Sequence, residues 1–578
     1  MRVFLTGKRN RSSVVRVALL VSVAALAVTT APAVRAWAGD GLAWPDVSTR
    51  VSDGPTPHSD VVPGPPLQLA PERPPELLPT GHWAYDELRK LWVSGMVDSV
   101  FLGSRPASRY DVAALLMSLQ GDRRVPAGYA PMERLLREFS REISYLRGDS
   151  GYRPVPFMLQ SRSEKADFRL SPYVDAEWAG GGKTAAQGSR VADGVVEGSR
   201  AGVRATAILR PNLVIYQDVY VGKITDGWRY GEELFSIEDL IIFADRFYFG
   251  LRTPWVDAQV GRDEVRWGPG RTGTLLLSDC AASYTMLHLT RAFGKKLKVS
   301  SVNGILDTEA GKYLAAHRLD FVPAGFVQLG ISETAIYHAR FFEPLYVMSL
   351  IPFTLVERLH HRDSQSPSLD DPTRNNVSVS ADAVVRPARG MSVYGELMID
   401  DLSEETSDRP TRLAYQAGLA LSRPFGNRSV NLTAELTRVW NYTYSVYYSD
   451  VYDRDQTHQG KPLGYCLGPD SRRWYFALSA DVSRDLELAG VLDLTHRGEG
   501  SLSEPWTPDL EDADASSFSG VVERTMELRL VARWLPAETV LIEAGLAGVA
   551  VRNKDHLAQP EGEDWKDTEY SLSVSARW

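Results

Sequence analysis

From about residue 166 to the C-terminus the chain alternates apolar and polar side chains with a period of two, the pattern of strands whose two faces meet different surroundings. Tyr570, Leu572, Val574, Ala576 and Trp578 fall on one face of the last segment, and Ser571, Ser573, Ser575 and Arg577 on the other. Met526, Leu528, Leu530, Ala532 and Trp534 oppose Glu527, Arg529 and Arg533; Val430, Leu432, Ala434 and Leu436 oppose Asn431, Thr433 and Glu435. This alternation predicts eighteen strands, at 166–181, 198–210, 213–224, 245–253, 255–264, 283–292, 295–306, 315–323, 326–335, 376–387, 390–401, 412–423, 428–440, 472–484, 486–498, 522–535, 538–551 and 567–578. Tight turns such as Pro211-Asn212, Pro387-Ala-Arg-Gly390 and Pro536-Ala-Glu538 interleave with long loops such as 265–282, 336–375, 441–471 and 499–521. Short turns on one rim and long loops on the other, with charge on one strand face and hydrocarbon-compatible side chains on the other, predict an all-β fold: a transmembrane up-and-down antiparallel barrel. A soluble Greek-key sandwich does not sort its loops this way.

Residues 80–148 have helical spacing instead. Tyr85, Leu88, Leu91 and Trp92 share a face, Ser108-Arg-Tyr-Asp111 is a capping box ahead of a second helix, and a third carries Pro131, Met132, Leu135, Leu136, Phe139, Ile143 and Leu146. Residues 39–79 hold ten of the 34 prolines, the composition of an extended spacer. Residues 1–38 have the basic start, short apolar run (Val17–Val28) and Ala36-Trp37-Ala38 site of a secretory signal peptide. The predicted organisation is therefore 1–38 signal peptide, 39–79 linker, 80–150 small α-helical module in the periplasm and 151–578 barrel in an outer membrane, with membrane lipid around it.

Composition changes this picture in two respects. The net charge of −9 includes six basic and no acidic side chains in 1–38, so the exported remainder carries −15, which argues against a nucleic-acid partner. Two cysteines, Cys280 and Cys466, lie in the two long loops 265–282 and 441–471, where one disulfide pinning the loops together is expected in an oxidising compartment. No nucleophile–base motif, metal-ligand spacing or phosphate loop stands out, so neither an enzyme, a cofactor nor a metal site is expected; His360-His361 has no spaced third ligand. Asp382, Glu396, Glu435, Asp493 and Glu543 read as polar filling of the lumen.

Both cysteine-bearing loops are candidates for binding sugars. The first presents Trp267 between Arg266 and Arg271 on a Gly/Pro turn; the second carries Tyr442, Tyr444, Tyr447, Tyr448 and Tyr452 among Asp450, Asp453, Asp455 and His458. Aromatic faces pack on sugar C–H surfaces while guanidinium and carboxylate groups bond hydroxyls and acidic substituents.

Gly261-Arg-Asp-Glu-Val-Arg-Trp-Gly-Pro-Gly270 with Leu275-Leu-Leu-Ser-Asp279 resembles the signature of the Wzi capsule-assembly family, as do His317-Arg-Leu-Asp320, Gly330-Ile-Ser-Glu333 with Tyr337, and Tyr394-Gly-Glu-Leu-Met-Ile-Asp-Asp401. The resemblance implies an eighteen-stranded barrel closed to diffusion that binds capsular or exopolysaccharide at the cell surface. A substrate-selective porin is the alternative reading of the same strands. The helical segment, with His82-Trp-Ala-Tyr85, Leu91–Gly95 and Ser108-Arg-Tyr-Asp111, resembles a single S-layer homology module, which implies that Trp83, Arg109 and Asp111 contact peptidoglycan or a secondary cell-wall polymer.

Overall fold

The structure is a computed structural model. It describes residues 73–577 except 99–100, 102, 149–157, 163–165, 182–190, 193–194, 197–198, 210, 224–234, 238–239, 339–345, 347–351, 361–374, 402–409, 447–453, 503–505, 508–513 and 559–563. The expected signal peptide and most of the proline-rich segment lie outside the described residues.

Eighteen long strands close into one antiparallel barrel. In chain order they are β1 (Ala166–Gly181), β2 (Arg200–Leu209), β3 (Leu213–Lys223), β4 (Leu240–Arg252), β5 (Asp257–Asp263), β6 (Tyr284–Phe293), β7 (Leu297–Asp307), β8 (Lys312–Ala324), β9 (Val327–His338), β10 (Asn376–Ala388), β11 (Met391–Asp401), β12 (Arg412–Phe425), β13 (Arg428–Val439), β14 (Ser471–Asp481), β15 (Leu486–Arg497), β16 (Glu523–Ala537), β17 (Val540–Arg552) and β18 (Trp565–Arg577). Each strand pairs with its chain neighbours, and β18 closes on β1 with Val574 opposite Ala176. Closure leaves no unpaired edge to face lipid. The predicted limits hold to within a few residues, with one larger difference: β4 starts at Leu240 rather than 245. The run Leu240-Ile-Ile-Phe243 is apolar on both faces, so alternation does not mark it.

The register puts the apolar set outside. Leu528 and Leu530 of β16, Leu478 of β14 and Tyr570 of β18 are each more than half exposed, while their chain neighbours Glu527, Arg529, Ser479 and Ser571 face the lumen. Exposed aromatics gather at both rims: Trp255, Phe293, Phe326, Phe425 and Trp534 by the short turns, Trp178, Tyr415, Trp474 and Tyr570 by the long loops. Two such girdles around an apolar band place the barrel across a membrane.

The helical segment fills the short-turn mouth. It comprises α1 (Ala84–Val93), α2 (Arg109–Leu119), α3 (Ala130–Glu138) and α4 (Ser140–Arg147) around Leu88, Leu91, Leu116, Leu135 and Phe139. Ser108 caps α2, its hydroxyl accepting from the Asp111 amide at 3.4 Å. The single third helix expected from periodicity is two helices, because Phe139 leaves helical geometry (φ −100°, ψ 16°) and buries its ring, with Leu135 and Ile143 on either side both in the core. The plug bonds directly to the turns, through backbone where Gly390 N donates to Val93 O (2.8 Å) and Ala130 N to Asn427 O (2.8 Å), and through a side chain where Arg134 Nη1 donates to Arg484 O (3.1 Å). Residues before the expected end of the linker at 79 already pack on the barrel: buried Glu76 accepts from Arg169 of β1 (3.0 Å) and Arg141 of α4 (3.1 Å). Residues 73–577 are one compact unit, so the boundary drawn near 150 separates helix from strand rather than two independent bodies.

Candidate functional site

The loop between β5 and β6 turns into the lumen. Its Leu275-Leu-Leu277 run is fully buried, as apolar side chains in contact with water would be unfavourable, and it carries the glycine-rich turn inward with it. Gly268 has φ +133°, and a Cβ there would lie 2.4 Å from Glu396 Oε2; a Cβ on Gly270 would lie 2.0 Å from Gln416 Oε1. Side chains at either position would collide with the wall. Arg266-Trp267 pairs as a short antiparallel ribbon with Ser104-Arg105 of the plug, and Gly268 N donates to Gly103 O at 2.8 Å. The motif that carries the family resemblance is thus a latch between plug and barrel.

This placement corrects one expectation. Trp267 is only 1% exposed, packed with Val265, Leu277 and Met286, so its indole is not presented to a sugar. Arg266 is bound to Asp279 (3.2 Å) and to the Gly270 carbonyl (2.7 Å). Arg271 alone of the three reaches open space, bridging to Asp86 of α1 at 2.6 Å on the border of a lumenal cavity.

The loop after β13 packs onto the first. Tyr444, also a candidate sugar contact, is fully buried; its hydroxyl donates to Leu275 O (2.7 Å) and accepts from Tyr465 N (3.0 Å). Tyr442 is half-buried, and both tyrosines take left-handed backbone angles, φ 62° and 76°, which non-glycine residues rarely adopt. Tyr447, Tyr448 and Tyr452 lie outside the described residues. Gln456 Nε2 donates to Leu276 O (2.8 Å), Ser278 N to Leu463 O (2.6 Å), and a disulfide joins Cys280 to Cys466 with the Cα atoms 5.4 Å apart. The two loops therefore act as one stapled body, seated on lumenal carboxylates whose part in it was not legible from sequence. Glu435 accepts from the amides of Arg271 (2.6 Å) and Thr272 (2.9 Å) and from Tyr394 Oη (2.7 Å); Glu396 accepts from Leu275 N (3.1 Å).

The three residues of the S-layer-like motif bond within the protein. Arg109 pairs with Glu142 (2.7 Å) and Glu138 (3.0 Å), Asp111 with Arg252 of β4 (2.8 Å), and Trp83 stacks on His82. His82 in turn contacts Glu138 (3.3 Å) and Arg577 of β18 (3.2 Å). Burial holds the His82 imidazole down to about 4 despite Glu138 beside it. Burial does the same to His458 in the second loop, also to about 4. Each is neutral in the folded state but accepts a proton near 6.5 when unfolded, so each contributes stability above that pH that is lost as pH falls toward 4. The loss amounts to about 3 kcal/mol per histidine at the limit. Thermal unfolding followed by circular dichroism is expected to show a falling midpoint from pH 6.5 to 4, with about half of this histidine contribution absent in His82→Gln.

Among the described residues no group of His, Cys, Asp or Glu is placed to hold a metal ion. His361 lies outside the described residues.

A closed sheet with an apolar exterior, two aromatic girdles and a lumen occupied by a helical plug and inward loops defines an outer-membrane β-barrel. The chain belongs to the Wzi capsule assembly protein family, which matches residues 201–562. Among solved structures, Wzi of Escherichia coli shares the fold, with 14% identity over 86% of this chain and 99% of its own and a TM-score of 0.56; that protein is an outer-membrane protein involved in group 1 capsule assembly and a carbohydrate-binding β-barrel. OprD of Pseudomonas aeruginosa (10% identity, 71% of this chain, 95% of its own, TM-score 0.39) and OmpT of Vibrio cholerae (10%, 72%, 99%, 0.33) are more distant. No curated protein sequence matches this chain.

Proposed function

We propose that this barrel is a binding protein, not an enzyme, that holds capsular or exported polysaccharide at the cell surface. The observation that carries the reading is the stapled pair of loops: family-signature residues and the tyrosine-bearing loop form one rigid body inside a barrel of the capsule-assembly family. Rigid loops present sugar-binding groups with little ordering cost on association. With short turns facing the periplasm, as in outer-membrane barrels generally, the long loops face the capsule. Purified protein is expected to retain the producing strain's capsular polysaccharide on a glycan-binding assay, and a deletion strain to shed capsule into the medium. Unchanged capsule retention together with no binding in vitro overturns the reading. A porin is the second reading, favoured by the lumenal cavity beside the plug; frequent open-channel steps of the wild-type protein in planar bilayers would support it.

A further inference from the structure

The lumen is filled unevenly. On the side of β8–β13 the inward side chains are buried, Glu396 and Glu435 against the stapled loops and Asp320 and Asp382 beside Phe101 and Gly103 of the plug. On the side of β14–β18 the wall carries small groups, among them Ala477, Ala489, Gly545, Ala547, Ser571 and Ser573, and a cavity of about 680 Å³ remains. Its volume falls in the range of small-ligand pockets, roughly 300–1,000 Å³, with room for a short oligosaccharide. The floor is α1, which contributes Asp86, Arg89 and Lys90; the walls rise to Glu177 and Glu569 near the loop ends of β1 and β18.

Most charges in the cavity are paired. Lys90 meets Glu487 (2.7 Å), Arg271 meets Asp86 (2.6 Å), Arg533 meets Glu543 (2.5 Å), Arg473 meets Asp493 and Arg529 meets Glu527. Such pairs retain spare acceptor and donor positions suited to hydroxyls. Arg89 is different, because it makes no ion pair among the described residues. Asp86, one turn earlier on the same helix, is taken by Arg271, and the Arg89 guanidinium lies 5.7 Å from the Tyr394 ring centroid. A half-buried guanidinium at the floor of a cavity, without a carboxylate, is a place for an anion. Glu177 and Glu569, also without an ion pair among the described residues, sit at the other end and oppose a second anionic group there.

We propose that this cavity takes the end of a polysaccharide chain, its hydroxyls bonded by the Arg–carboxylate pairs and the carboxylate of a leading acidic sugar paired with Arg89. The proposal rests on the polysaccharide-binding reading above and adds where the chain end goes and what it carries.

The test uses full-length protein in detergent and calorimetric titration with three probes: capsular polysaccharide of the producing strain, the short oligosaccharides released from it by partial hydrolysis, and those oligosaccharides with their carboxyl groups reduced to alcohols. Ser573→Trp fills the cavity, and Arg89→Gln removes the guanidinium; heat-modifiable gel mobility verifies that both variants fold. Ser573→Trp is expected to weaken oligosaccharide binding at least tenfold. Arg89→Gln is expected to weaken the native oligosaccharides about tenfold, the scale of a charged hydrogen bond, and the reduced ones by less than twofold. If the wild type binds the polymer but both variants bind oligosaccharides as the wild type does, the cavity proposal is overturned and the polysaccharide reading stands. Equal weakening of native and reduced probes by Arg89→Gln overturns the acidic-sugar assignment. If the wild type binds none of the probes, the polysaccharide reading falls and this proposal with it.

Discussion

Replacing Arg134 by alanine is expected to lower stability by about 3–5 kcal/mol, because it leaves buried Asp481 without a counter-charge and buried Glu87 with Lys90 alone (2.9 Å). Arg134 is 2% exposed and sits on α3, where Nη2 donates to Glu87 of α1 (2.9 Å) and to Asp481 of β14 (2.8 Å). It therefore ties two plug helices to the wall at one point. Asp481 is held by Ser429 N and Oγ as well (2.8 and 2.6 Å), so it cannot swing out to water when the guanidinium goes. The midpoint of thermal unfolding in detergent reads the loss. In planar bilayers the same variant is expected to conduct more than the wild type, since the plug is loosened at the β14–β15 turn. The double variant Arg134→Met, Asp481→Asn is expected to recover most of the stability, because Glu87 keeps Lys90 and removing a buried charge together with its otherwise unpaired partner is far less costly than orphaning that partner. An Arg134→Ala protein as stable as the wild type would show that this ion-pair cluster does not hold the plug in place.

Removing the Cys280–Cys466 bridge is expected to cost about 3–5 kcal/mol, near the value for a crosslink closing a long loop. The cysteines are 186 residues apart in sequence, so in the unfolded chain the bond excludes a large set of conformations. Urea unfolding of Cys280→Ser/Cys466→Ser, and of the wild type under reducing conditions, should give the same shift of midpoint. The loops are expected to stay in place in the folded variant, since Tyr444 to Leu275, Gln456 to Leu276 and Ser278 to Leu463 remain bonded. Polysaccharide binding by that variant should then fall only modestly at temperatures well below its midpoint.

The strands were legible because lipid permits so little. In hydrocarbon every outward position must be apolar and every backbone group paired, so alternation along β16 and β18 reports directly on their two faces. The helical character of the plug was legible from spacing, although α3 and α4 read as one helix, and the capping of α2 was legible from Ser108 and Asp111. The candidate sugar-binding aromatics were not, since Trp267 and Tyr444 have the same identity whether they stack on a ligand or fill a lumen. Only the direction in which a loop folds distinguishes the two, and local sequence does not encode that direction.

What the sequence by itself determined is the class of object: a membrane barrel of about eighteen strands, sorted loops, a short helical segment before it and two cysteines in facing loops. These follow from periodicity and from the solvent each face meets, which are local properties of the chain. Tertiary structure alone decided that the helices plug the short-turn mouth, that the family-signature turn pairs with the plug through Arg266-Trp267 and Ser104-Arg105, and that Arg89 faces a cavity with its nearest helical carboxylate already engaged. Those are contacts between residues tens to hundreds of positions apart, and they depend on how two loops and a plug divide one enclosed volume.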